Sequence, residues 1–133
     1  MTTGTYFFTD KHKFLKVYFY GHYDSYPVGA AHFFYNAYKL YFSDNKHYKC
    51  LTSCFIKANH ELDIVYTHDD ETDWQYNIVF GENSATISVL KIVKDLEIRE
   101  RYGESYFKGD LIEFVKKEIG NDEDYPLDIF DAK

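Results

Sequence analysis

The spacing of apolar residues changes at Pro27, and this change constrains the fold more than any other feature. Upstream, TYFFT and KFLKVYFYG are apolar or alternating runs of aromatic and β-branched residues, which predict strands at about 5–8 and 14–20. The DKHK segment between them suits a hairpin. Downstream, VGAAHFFYNAYKLYF places Ala30, Phe33, Phe34, Ala37, Tyr38 and Tyr41 at helical spacing. Pro27 fits the first turn of that helix, where its missing N–H does no harm. The small residues Gly29, Ala30 and Ala31 leave room for something to approach the helix start.

The remaining chain extends this pattern. YKCLTSCFIK predicts a short helix over about 48–57, after a break at SDNKH. ELDIVYTH alternates at Leu62, Ile64 and Tyr66 and is followed by an acidic turn, HDDETD. WQYNIVF and SATISVLKIV read as two strands joined by a GENS hairpin loop. LEIRERY reads as a further strand or as the run into a loop. GDLIEFVKKEIG is the clearest helix: Asp110 can cap it, Leu111, Phe114 and Val115 line one face, and Gly120 ends it. The prediction is one α+β domain over residues 1–133. It has a mostly antiparallel sheet of four to six strands, with two or three helices packed on one face. The acidic tail 121–133 reads as a loosely docked end with Leu127, Ile129 and Phe130 as anchors, or as a contact segment for a neighbouring subunit.

Composition bounds the function. Aromatic residues make up 20% of the chain, including 14 Tyr, and a tyrosine hydroxyl needs water or a hydrogen-bond partner. Rings are therefore expected at surfaces, grooves or subunit contacts, which favours a binding protein and a two-fold homodimer. Residues 1–60 carry a balance of +4 and residues 61–133 a balance of −11. That distribution opposes nonspecific nucleic-acid binding, which needs a basic footprint. MTTGTYFFTDKHKF contains no basic region followed by a long apolar core, and no apolar run has membrane-spanning length. The expected location is the cytoplasm, with no membrane partner. Cys50 and Cys54 make no structural zinc site alone and read as free thiols.

Chemistry concentrates in YGHYDSYPVG. A strand ending at Tyr20 and a helix beginning near Pro27 enclose a loop, Gly21 to Tyr26. Backbone N–H groups at such a loop and helix start can meet an anion. His22 can exchange a proton near neutral pH, and Asp24 can orient it or bind an amine or a ribose hydroxyl. Tyr20, Tyr23 and Tyr26 can stack on a base. With Gly29 these residues form the candidate ligand-binding set. The structural alternative is an elbow in which Asp24 accepts turn amides and Tyr26-Pro27 packs rigidly. His68 with Asp69, Asp70 and Asp73 has metal-binding donors but reads first as a solvated turn, so no metal and no cofactor is expected. His12, His47 and His60 fall in loops. No phosphate loop, H-E-x-x-H or G-x-S-x-G motif is present.

The run Tyr20-x-His22-x-Asp24-Ser25-Tyr26-Pro27 resembles a Y-x-H-x-D-G-Y-P element of small uncharacterised proteins of phages, prophages and mobile elements. The likeness covers about a dozen residues, with a looser match over LDIVYTHDDETDWQYNI. Ser25 stands where that pattern has Gly, and the pattern's next Gly comes later than Gly29. The resemblance implies a small accessory protein in the host cell cytoplasm and brings no known reaction. The expected function is binding in counter-defence, by sequestering a small nucleotide-like signal or blocking a host defence protein. The alternatives are a phosphodiesterase-like hydrolase using His22 and Asp24, and an acidic mimic of nucleic acid. Interspersed Lys91, Lys94, Arg99, Arg101, Lys116 and Lys117 oppose the mimic.

Overall fold

The computed structural model describes residues 2–43, 50–67, 72–81 and 84–131. Strands β1 (Gly4–Asp10) and β2 (Lys16–Gly21) form the expected antiparallel hairpin. Its turn is held by Asp10, whose Oδ1 accepts the Phe14 N–H at 2.7 Å. Helix α1 (Pro27–Tyr41) begins at the proline, as the change of spacing predicts. Helix α2 (Leu51–Ala58) is the short second helix; positions 48 and 49 of the expected range lie outside the described residues. The buried Asn59 side-chain amide bonds the carbonyls of both Phe55 and Phe33, fastening the end of α2 to α1.

Four further strands complete one sheet: β3 (Asp63–Val65), β4 (Trp74–Phe80), β5 (Ala85–Asp95) and β6 (Glu100–Asp110). The order is β3-β2-β1-β4-β5-β6. Every neighbouring pair is antiparallel except β1 and β4, which run parallel with Tyr6 beside Tyr76 and Phe8 beside Ile78. The fold is therefore α+β with a mostly antiparallel, mixed six-stranded sheet. LEIRERY resolves into a turn followed by the start of β6. Helix α3 (Leu111–Ile119) follows β6 directly; Asp110 Oδ2 accepts the Glu113 N–H at 3.0 Å and Gly120 terminates it.

All three helices cover one face of the sheet. Alternation sends Tyr6, Phe8, Phe19, Tyr76, Ile78, Ile87 and Val89 to that face, and each is buried. Phe34 of α1 meets Tyr6 edge-on, Phe55 of α2 packs on Phe8, and Phe114 of α3 packs on Phe107. The core thus absorbs much of the aromatic content that composition alone assigned to surfaces. Aromatic rings fill the space between the sheet and the helices, of which α1 brings the small residues Gly29, Ala30 and Ala31.

The tail lies on α1. The Tyr35 hydroxyl donates to the Pro126 carbonyl at 2.7 Å, and the 3₁₀ turn Leu127–Phe130 sets the Phe130 ring edge-on to Tyr35 and Tyr38. No helix among the described residues is long and apolar enough to cross a membrane.

Candidate functional site

The loop between β2 and α1 is built around Ser25, a small polar residue with no solvent exposure. Its side chain lies against Gly4 and Gly21: a Cβ on Gly4 would fall 2.7 Å from Ser25 Cβ, and one on Gly21 would fall 2.5 Å from Ser25 Oγ. The hydroxyls of Tyr6 and Tyr76, from the adjacent central strands, donate to Ser25 Oγ (2.9 Å) and to the Ser25 carbonyl. Burial raises the pKa of both phenols, so both keep the protons these bonds need. Ser25 N donates to the Thr2 carbonyl at 3.2 Å. A buried hydroxyl must be satisfied, and here the core itself satisfies it. The position where the resembling pattern has Gly is thus occupied by the residue that anchors the loop.

Left-handed backbone falls one residue earlier, at Asp24 (φ 54°). Aspartate tolerates this region better than most residues because its short side chain can bond locally. The reversal separates the two residues on which an acid–base reading would rest. His22 turns to the β3 edge, where its Nε2 lies 3.1 Å from Asp63 Oδ2 and its ring meets Tyr20 edge-on. Asp24 instead lines a concavity of about 250 Å³ on the outer side of α1, with Tyr26, Gly29, His32, Asn36, Glu61 and Tyr125. Of the candidate set, the structure brings Asp24, Tyr26 and Gly29 together and places Tyr20 and His22 beside Asp63. Tyr23 is exposed, with its ring 6.3 Å from that of His22.

Gly29 has a structural reason to be glycine. A Cβ there would fall 1.7 Å from the Asp24 carbonyl oxygen, so the close approach allowed by the small residues is made by the protein's own loop. The Tyr26 side chain makes no cap bond at the α1 N-terminus. The surrounding oxygens, the Asp24 carbonyl and the Asp24 and Glu61 carboxylates, would repel a phosphate from this notch. Its geometry suits a cationic or neutral hydrogen-bonding group flanked by rings.

Apart from the core residue Phe33, four residues of the notch were not in the candidate set: His32, Asn36, Glu61 and Tyr125. The His32 ring stacks on Tyr125 at 4.2 Å, and its Nε2 lies 3.9 Å from Asp122 Oδ2. Gly29, His32 and Asn36 recur at helical spacing as a non-apolar stripe on an otherwise apolar helix. That stripe was the available signal. Asp63 as the partner of His22 comes from strand pairing, with Tyr20 opposite Asp63, and has no local signature.

His68, Asp69 and Asp70 of the metal alternative lie outside the described residues, as does His47; Asp73 accepts from the Thr3 N–H and hydroxyl. Among the described residues no cluster of three or more His, Cys, Asp or Glu could hold a metal ion. Cys50 and Cys54 are free thiols, and burial pushes the Cys54 pKa up to about 11. No family model, curated protein or solved structure matches this chain.

Proposed function

We propose that this chain is an accessory protein of a phage or mobile element that works by binding in the host cytoplasm, and that it blocks a host defence protein. One observation carries the reading. Tyr23 and Tyr26, on a loop whose backbone is anchored through Ser25, and Ile64 and Tyr66, in and just after β3, all stand exposed. Ile64 is 67% exposed and Tyr23 60% exposed, unusual for residues of this size. Rings on rigid backbone make strong contact points, because little conformational freedom is lost when a partner covers them. The carboxylates of Asp24 and Glu61 beside them favour a partner carrying basic side chains.

A hydrolase using His22 and Asp24 is less well supported, since the two side chains serve different neighbourhoods. The test is phage plating on cells that carry a defence system, with and without this protein. The parent restores plating, and Tyr23→Ala combined with Ile64→Asp removes the effect while the melting temperature is held. Equal protection by parent and variant overturns the reading.

A further inference from the structure

We propose a second site, for a phosphate group, on the open face of the sheet where β5 and β6 project beyond β4. Strand β4 ends its pairing at Trp74 opposite Lys91, whereas β5 and β6 continue together to the pair Asp95–Glu100. A concavity of about 430 Å³ lies at the base of this hairpin, within the roughly 300–1,000 Å³ of small-molecule sites. Gln75, Leu90 and Ile92 form its floor, with Arg99, Arg101 and Tyr102 around it. Gly103, the register partner of Ile92, keeps the floor open, because a Cβ there would come 3.0 Å from Leu90 Cδ1.

The charges are sorted across the hairpin. Arg101 and its register partner Lys94 share the open face by strand alternation, while the pairs Asp95–Glu100 and Lys91–Glu104 point to the other. Asp95 Oδ1 accepts the N–H groups of Glu97 and Ile98, which fixes the turn that carries Arg99. Arg99 holds left-handed backbone (φ 56°), a position that glycine fills more easily. Guanidinium groups match phosphate geometry with paired N–H donors. The Gln75 amide and the aliphatic floor of Leu90 and Ile92 can take a planar group attached to that phosphate. A small phosphate ester, of which a mononucleotide is the simplest probe, satisfies all of these surfaces. The site lies at the opposite edge of the sheet from the proposed partner surface and stands independently of it.

The test is calorimetric titration of the full chain with inorganic phosphate, AMP, UMP and adenosine. Saturable binding of a phosphate-bearing probe, absent with adenosine and weakened by salt, is expected. Tighter binding of AMP or UMP than of inorganic phosphate assigns an ester, and equal binding assigns free phosphate; both keep the site. Arg99→Gly retains the turn, because glycine accepts the same backbone, and should weaken binding about tenfold with no loss of melting temperature. Arg101→Gln should do likewise, and Lys116→Gln on α3, which removes the same charge elsewhere, should leave binding unchanged. The proposal is overturned if no phosphate-bearing probe binds, if adenosine binds as well as AMP, or if Arg99→Gly binds like the parent.

Discussion

Removing the Ser25 hydroxyl should loosen the candidate loop by an amount that a double-mutant cycle can isolate. In Ser25→Ala the smaller side chain still fits between Gly4 and Gly21, so no clash is introduced. The loss falls on Tyr6, whose buried hydroxyl donates to Ser25 Oγ at 2.9 Å. An unsatisfied buried donor costs about 1–3 kcal/mol. For a chain of this length that corresponds to roughly 3–5 °C of melting temperature per kcal/mol. Tyr6→Phe alone should cost about 1 kcal/mol or less, because Ser25 Oγ still donates to the Tyr23 carbonyl at 3.3 Å. Tyr6→Phe with Ser25→Ala removes both partners, so the orphaned donor disappears and the double variant should be more stable than the summed single losses by about 1–2 kcal/mol. Urea melts of the four proteins measure this directly. Additive losses within about 0.5 kcal/mol would refute the view that this bond anchors the loop.

Gly29→Ala should destabilise the protein although alanine is the better helix former by about 1 kcal/mol, because its Cβ would collide with the Asp24 carbonyl; thermal melts give the sign. Alkali should unfold the chain cooperatively. Burial raises the folded-state pKa of Tyr6, Tyr35, Tyr38 and Tyr76, and the hydrogen bond to Glu118, then burial, pushes Tyr106 up to about 12. Groups with folded pKa values above the unfolded value near 10 contribute stability that is full below that pH and lost as pH rises beyond it. Tyrosinate absorbance and circular dichroism should therefore change together above about pH 10, and ionisation of the buried phenols with the fold intact would contradict this. Iodoacetamide should label half-buried Cys50 well before Cys54, whose thiol is buried and whose pKa burial pushes up to about 11, so mass spectrometry should find Cys54 modified only on unfolding.

What could be read from the residues follows the physics of each element. The β1–β2 hairpin and α1 are legible because their apolar residues repeat at one period and Pro27 marks the boundary. Helix α3 is legible from its cap: Asp110 at the start, Gly120 at the end. Strand β6 is not, because it is an edge strand exposed along most of its length, with no buried face to impose alternation; pairing with β5 makes it a strand. The parallel β1–β4 pair joins residues about seventy positions apart and has no local signature. At the loop, the residue types pointed to a polar site, but their directions depend on one left-handed residue, Asp24, and on the buried Ser25. Neither is visible in a pattern of polar and apolar letters. The aromatic content misled in part, since Tyr6 and Tyr76 satisfy their hydroxyls inside the core through Ser25.

The sheet order places the two proposed surfaces far apart, and that separation can itself be tested. Five strand spacings of about 4.8 Å put β3 and β6 roughly 24 Å from each other. Between them lies a closely packed aromatic core, with Tyr6 and Tyr76 stacked at 4.8 Å and Phe34 against Phe55 at 5.3 Å. Side chains this far apart with no shared partner act additively unless an element between them switches between two states. Ile64→Asp should therefore abolish plating protection without changing titration by AMP, and Arg99→Gly should weaken AMP binding about tenfold without changing protection. If the exposed edge instead serves a second copy of the chain, light scattering will give twice the mass of 15.8 kDa, and Ile64→Asp will return the single mass. Loss of both activities in either variant, at unchanged melting temperature, would mean that the two edges communicate and that the sheet is not the rigid spacer its packing implies.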